Sequence, residues 1–363
     1  MVIIHRFLLS LHSVYDINYA KMIKKKLSWL QLLLMLCIFP QLTSCVDEEQ
    51  YDDTPQGNFE ALWKIIDEHY CFLDYKQQEY GLDWQKVHDE YKVRIDSKMT
   101  DKQLFEVLTN MLGELRDGHV NLSAAHDFGR YWSWYENYPT NFSDTLLRRY
   151  MGTDYQIASG LHYKILDDNI GYIRYESFND GIGEGNLDEV ITHMLLCRGL
   201  IIDIRNNGGG LLTNAERLAA RFCQEKTLVG YYQHKTGPGH SDFSAREARY
   251  LEPSSNIRWN KPAVVLTNRQ VYSAANEFTV YMKALPNVLL VGDHTGGGAG
   301  MPFNSSLPNG WGVRFSAVPM YDALGESTEF GIEPDYNIQQ TDADFARGED
   351  TIIEFARKLL KQK

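Results

Sequence analysis

From residue 163 onward, short apolar runs alternate with amphipathic segments, and this alternation restricts the chain more than any other feature. The runs 170–175, 200–204, 263–266 and 288–291 are almost unbroken apolar stretches, as expected of strands buried on both faces. Segments 187–196, 213–223 and 274–285 between and after them read as helices. Strand–helix alternation predicts an α/β fold around a largely buried sheet. Of 363 residues 44% are apolar and 23% charged, enough to fill such a core and to exclude a disordered chain. The sequence contains no internal repeat and no low-complexity tract.

The region before the core has a different texture. Phe59, Leu62, Trp63, Ile66 and Tyr70 fall on one helical face. Thr100 and Gln103 match a capping box that opens a helix with the face Leu104, Leu108, Met111, Leu112 and Leu115. Residues 59–124 therefore read as a helical subdomain. Residues 125–162 form an aromatic connecting segment (Tyr131, Trp132, Trp134, Tyr135, Tyr138), either a cover over the core or a substrate-contacting lid. Residues 163–345 make the core and 346–363 a C-terminal helix.

Residues 1–45 read as an address. Lys24-Lys25-Lys26 precede an apolar run at 32–39 and then Leu42-Thr43-Ser44-Cys45. Basic, apolar and small-residue segments in that order describe a secretory signal peptide. The run is short for a membrane span, though a short anchor helix is the alternative. Leu-Thr-Ser-Cys resembles the bacterial lipobox, which implies lipid attachment at Cys45, export, and a membrane-anchored lipoprotein, with the outer membrane as the expected site. Met22 then is the expected start, with 1–21 an extension. Val46-Asp47-Glu48-Glu49 is similar to the surface-export signal of Bacteroidetes lipoproteins, and 46–58 reads as a polar tether.

The net charge is −12; without residues 1–44 it becomes −16, from 31 basic and 47 acidic side chains. Such a chain has no general attraction to nucleic acid or anionic lipid, so lipid rather than charge would hold it to a membrane. Cys71, Cys197 and Cys223 remain after Cys37 and Cys45, allowing at most one disulfide. No Cys-x-x-Cys or His-Glu-x-x-His pattern supports a metal site.

Four places could carry chemistry. An apolar strand runs through Asp203-Ile204-Arg205-Asn206-Asn207 into Gly208-Gly209-Gly210 and a helix. Its backbone N–H groups could converge on an anion, as a phosphate cradle or an oxyanion hole, or form only a tight turn. It is neither a Walker nor a dinucleotide fingerprint. A second strand ends before Tyr272-Ser273-Ala274-Ala275, placing Ser273 at a helix start, as a nucleophile in the helix field or as an ordinary N-cap. Asp117-Gly118-His119 follows a helix, so His119 is either a general base or a packing residue. Glu329, Glu333 and Asp335 lie close together near the end, as a histidine-orienting carboxylate or a solvated turn. His294 is a second histidine beside a glycine loop.

Taken in order, these segments resemble the core of the C-terminal processing peptidase and tricorn protease family, through 115–122, 199–211, 263–278, 291–300 and 331–335, and through the helical segment with Asp83-Trp84. The resemblance implies a crotonase-like α/β peptidase core with an N-terminal helical subdomain. It implies Ser273 as nucleophile, Ala274 as one oxyanion donor and Gly208 or Gly209 as the other. Gly298 stands where the processing-peptidase branch carries its lysine, so that dyad is not available. The tricorn-like branch uses a histidine, matched by His119, oriented through polar residues that include a glutamate, for which Glu329 is the nearest match. The roughly forty residues between Leu122 and Tyr163 are too few for the PDZ domain of many relatives.

The expected function is that of a serine endopeptidase of the cell envelope acting on proteins or peptides, with no metal or organic cofactor and no nucleic acid partner. The alternative is a non-catalytic lipoprotein on the same fold that binds a peptide or apolar ligand. Acyl-thioester chemistry on a crotonase-like fold is a weaker third, disfavoured by the signal peptide. The oligomeric state is not legible.

Overall fold

The computed structural model describes residues 50–362. The segment read as a signal peptide, Cys45 and residues 46–49 of the stretch read as tether lie outside them. Residues 51–363 make one compact unit, so the helical segment and the core are not separate bodies. The helix expected from residue 59 begins earlier, at Pro55–His69, with Thr54 accepting the Gly57 N–H as its N-cap. Its first turn thus occupies part of the stretch read as tether.

Thirteen strands form two sheets among the described residues. In chain order they are β1 (Asn121–Ser123), β2 (Phe128–Arg130), β3 (Gln156–Ala158), β4 (Leu161–Ile165), β5 (Ile170–Tyr175), β6 (Gly199–Asp203), β7 (Thr227–Tyr232), β8 (Glu247–Leu251), β9 (Ala263–Thr267), β10 (Val288–Gly292), β11 (Gly300–Ser306), β12 (Gly312–Tyr321) and β13 (Tyr336–Asn337). The larger sheet runs β13-β10-β9-β6-β5-β4-β3, parallel from β13 to β5 and antiparallel at β4 and β3. Every residue of β5, β6 and β9 is buried, which is why these strands read as unbroken apolar runs. Helices Glu184–Met194, Leu212–Ala219 and Ala274–Lys283 contribute to the core on one face. Asp144–Met151 and Thr351–Gln362 contribute to a second core with Tyr172, Ile201 and Val264. Successive residues of a strand point to opposite faces, so these two cores lie on opposite sides of the sheet.

The second sheet runs β2-β1-β12-β7-β8, with β11 on β12, and its connected pairs are antiparallel. It joins the N-terminal helices to the core: Leu122 of β1 and Val313 and Phe315 of β12 share a cluster with Leu62, Ile66, Leu108 and Met111. The chain between Leu122 and Tyr163 holds β2, short helices Ser133–Glu136 and Asp144–Met151, and β3, with no separate domain. Cys71, Cys197 and Cys223 are buried free thiols.

Candidate active site

The parallel strands β6 and β9 are neighbours, and both deliver their C-terminal ends to the same edge. In an open α/β sheet that edge is where ligands bind. The glycine run leaves β6 there and Ser273 follows β9. Ser273 caps the helix Ala274–Lys283 with φ +57 and ψ −124. A non-glycine residue at positive φ is costly, by about 1–3 kcal/mol, and is retained where surrounding structure imposes it. Here the Ser273 N–H donates to the Gly297 carbonyl (2.9 Å), and the Tyr272 N–H to the Asn207 carbonyl (3.1 Å). The side chain makes no capping bond. Its Oγ lies 2.9 Å from His119 Nε2 instead.

His119 arrives from the turn before β1, 154 residues away in sequence. Its ring is buried, and burial pushes its imidazole down to about 4. Asp117 opposes that shift, while Arg314 and Arg130 add to it. His119 Nδ1 has no hydrogen-bond partner among the described residues. Asp117 instead holds the turn: it accepts from the His119 backbone N–H (2.7 Å), Tyr70 Oη (2.9 Å), Tyr272 Oη (3.2 Å) and Ser316 Oγ (3.0 Å). Burial would raise its carboxyl, but Lys76, His119 and these donors hold it below the ordinary value.

Glu329 was expected to orient His119, yet its carboxylate faces elsewhere. Oε1 accepts from Lys76 Nζ (3.0 Å) and Oε2 from the Ala299 N–H (3.1 Å). Burial and the negative charge of Asp117 push its carboxyl up to about 8, and the nearby Lys76 offsets only part of that. Glu329 and Asp117 share the charge of one lysine, and Asp117 has more donors, so Glu329 is the one pushed up. His294 is also remote from Ser273 in its bonding; its Nδ1 meets Arg269 Nη1 (2.7 Å).

The glycine run lies against the serine. A Cβ on Gly209 would fall 2.8 Å from Ser273 Cβ and 2.9 Å from the Ala274 nitrogen. Gly209 is buried at φ +101, and its N–H already donates to Asn207 Oδ1 (3.0 Å). That corrects the expectation for Gly209: Gly208, exposed with open space at its Cβ position, is the one left as a donor. Ala274 is the first residue of its helix, so its N–H has no acceptor within it.

Tyr272 explains Gly298. A Cβ there would stand 2.5 Å from the Tyr272 ring, at φ +78. Tyr272 in turn stacks on Trp134 (4.2 Å between centroids). A Cβ on Gly296 would strike the Trp134 ring at 2.4 Å. The aromatic segment thus packs directly over the site. Asp117, Tyr272, Asn207 and Lys76 were missed as functional residues. The first three adjoin the motifs, but Lys76 gives no signal, since one lysine in a helix reads as solvent-facing.

The carboxyl edge of the sheet thus carries a serine at positive φ in contact with a buried histidine, on an α/β fold. The model of peptidase family S41 matches residues 169–338, and that of the tricorn protease C1 domain matches 51–113. A solved structure of a candidate peptidase from Parabacteroides merdae is 50% identical, over 85% of this chain and 97% of its own, with a TM-score of 0.81. The chain belongs to peptidase family S41. The carboxy-terminal processing protease CtpA of Bacillus subtilis is 26% identical, over 55% of this chain and 44% of its own length. A Chlamydia trachomatis protein is 30% identical over 31% of this chain and 20% of its own. The chain thus spans under half the length of these curated relatives. Mature CPAF with lactacystin, 12% identical at a TM-score of 0.65 over 85% of this chain and 98% of its own, shares the fold.

Proposed function

We propose that the protein is a serine endopeptidase that cleaves peptide bonds of proteins or peptides, with Ser273 as nucleophile and His119 as general base. The observation that carries this reading is the 2.9 Å contact between Ser273 Oγ and His119 Nε2, made by a serine at φ +57. With the ring proton on Nδ1, Nε2 accepts the hydroxyl proton as Oγ attacks the carbonyl carbon. The Ala274 and Gly208 N–H groups receive the developing oxyanion, and His119 then protonates the leaving amine. Water repeats the sequence on the acyl-enzyme. Asp117 positions His119 through its backbone and through charge, and Glu329 braces the loop at Ala299 with Lys76. The cell-envelope location and lipid anchor at Cys45 rest on the sequence pattern alone.

A fluorophosphonate probe on residues 46–363, with the adduct located by mass spectrometry, tests the reading. Labelling at Ser273 that disappears in Ser273→Ala and His119→Ala is expected. A folded protein that is never labelled and cleaves no peptide of a broad library would overturn it in favour of a ligand-binding protein.

A further inference from the structure

Three residues beside His119 form a row across the second sheet. Asn121 of β1 pairs with Arg314 of β12 on one side and with Arg130 of β2 on the other. Directly paired residues share a face, so Arg130, Asn121 and Arg314 point the same way. Their neighbours Leu122 and Val313 are buried in the opposite direction, toward the N-terminal helices. Asn121 Nδ2 donates to the His119 carbonyl (3.1 Å), tying the row to the reacting pair.

Both arginines lack counter-ions. Neither side chain makes a hydrogen bond or ion pair to a described residue, and Arg130 Nε is buried without an acceptor. The Arg130 guanidinium lies 4.5 Å from the Trp132 ring centroid and 5.9 Å from that of Tyr272. Elsewhere the buried Arg205 pairs with Asp203 (2.6 Å) and Asp350 (2.9 Å) and the half-buried Arg249 with Glu277 (2.5 Å), whereas the half-buried Arg130 and the exposed Arg314 have no carboxylate. With 48 acidic residues against 36 basic ones, carboxylates are not scarce. Asp117, whose charge reaches Arg130, is turned to four other donors. Arg314 also lowers the proton affinity of Arg130, so the two cations sense each other. Their strands are two apart, roughly 10 Å at about 4.8 Å per strand, a span that two long side chains close around one anion.

We propose that Arg130 and Arg314 form a carboxylate-binding subsite beside Ser273 and His119, taking an acidic side chain or the terminal carboxylate of a peptide substrate. The proposal rests on the peptidase reading above. Two guanidinium forks can grip one carboxylate by charge-assisted bonds and so fix the peptide against the serine. Burial is what mainly holds His119 down; the bound carboxylate would offset the smaller part that the two arginines add.

The test takes peptides that the purified protein cleaves from a mixed library. It compares four versions of each: Glu side chain with amidated terminus, Gln with amidated terminus, and a neutral sequence with a free or amidated terminus. A carboxylate version preferred by about tenfold or more in kcat/KM is expected, with the preference shrinking at high salt. Preference for the Glu version names the side chain as ligand; preference for the free terminus names the chain end. Arg314→Gln and Arg130→Gln should each erode the ratio of acid to amide, and the lysine variants should restore it only in part. Arg314 is exposed, so that variant carries the test if Arg130→Gln does not fold. Cleavage of acid and amide versions at equal rates overturns the subsite and leaves the peptidase reading standing. Absence of cleavage and of fluorophosphonate labelling overturns the peptidase reading. Binding of the same fluorescent peptides, measured by polarisation, then decides the subsite: acid over amide supports it and equal binding overturns it.

Discussion

Replacing Glu329 by Gln isolates a titration that the fold makes unusual. Burial, reinforced by Asp117, pushes the Glu329 carboxyl to about 8 from 4.5 despite Lys76 at 3.0 Å. The folded protein therefore holds a proton that the unfolded chain has released. The stability this supplies is fully present below pH 4.5 and is lost as pH rises through about 8. His119 runs the other way. Burial holds it near 4 rather than 6.5, so its contribution is present above pH 6.5 and lost as pH falls through 4. The two trends oppose each other below pH 6.5, and only that of Glu329 continues from 6.5 to 8. At up to 1.36 kcal/mol per pH unit, the wild type loses about 2 kcal/mol across that window through this group alone. In Glu329→Gln that loss is absent. The amide must set its NH2 against Lys76 Nζ or the Ala299 N–H, a mismatch of about 1–3 kcal/mol, so the variant starts lower but its curve is flatter. Urea unfolding followed by tryptophan fluorescence, in half-unit steps of pH, reads both features. Parallel curves for the two proteins between pH 6.5 and 8 would refute the protonated Glu329.

Three further outcomes follow from the site. The acid limb of kcat/KM should have its midpoint near pH 4, since that profile reports the free-enzyme base; a midpoint near 6.5 in a pH–rate series would contradict the buried setting of His119. Asn207→Ala removes the acceptor for the Gly209 N–H and the donor to the Tyr175 carbonyl (both 3.0 Å); steady-state kinetics should show kcat down about tenfold or more with KM changing less. Gly298→Lys should not install a serine–lysine pair: the side chain must displace Tyr272 at a backbone of φ +78, so thermal or urea unfolding should show about 2–5 kcal/mol lost and the probe should fail to label Ser273.

The core was legible because its strands are buried on both faces. The run 170–175 coincides with β5, and the others lie within a residue of β6, β9 and β10. The second sheet left no such trace. Its strands β1 and β2 are three residues long, and β7, β8 and β11 alternate burial irregularly, so no periodicity stands out. Ser273 and His119 were nameable because one opens a helix after a buried strand and the other follows Asp117-Gly118 in a turn. What the sequence could not yield is which groups face them. Glu329 follows the motif position but spends its oxygens on Lys76 and Ala299, a pairing between residues 253 apart. The choice between Gly208 and Gly209 turns on one side-chain bond from Asn207.

Gly298 and His119 are two sides of one packing decision. Tyr272 precedes the serine and fills the space above Gly298, leaving no room there for a lysine side chain. The same tyrosine sends its hydroxyl to Asp117, whose other oxygen takes Tyr70, just after the first helix, and Ser316 from β12. The aromatic ring that closes off Gly298 therefore helps to fix the turn that delivers His119. This arrangement has a kinetic consequence for the chain. Closing the 154-residue loop between His119 and Ser273 requires β1 to pair with β12 and both sheets to be assembled. Until then Ser273 lacks its contact with His119. On the proposed reading, a partly folded chain is an inert one, and activity appears only with the completed junction of the two sheets.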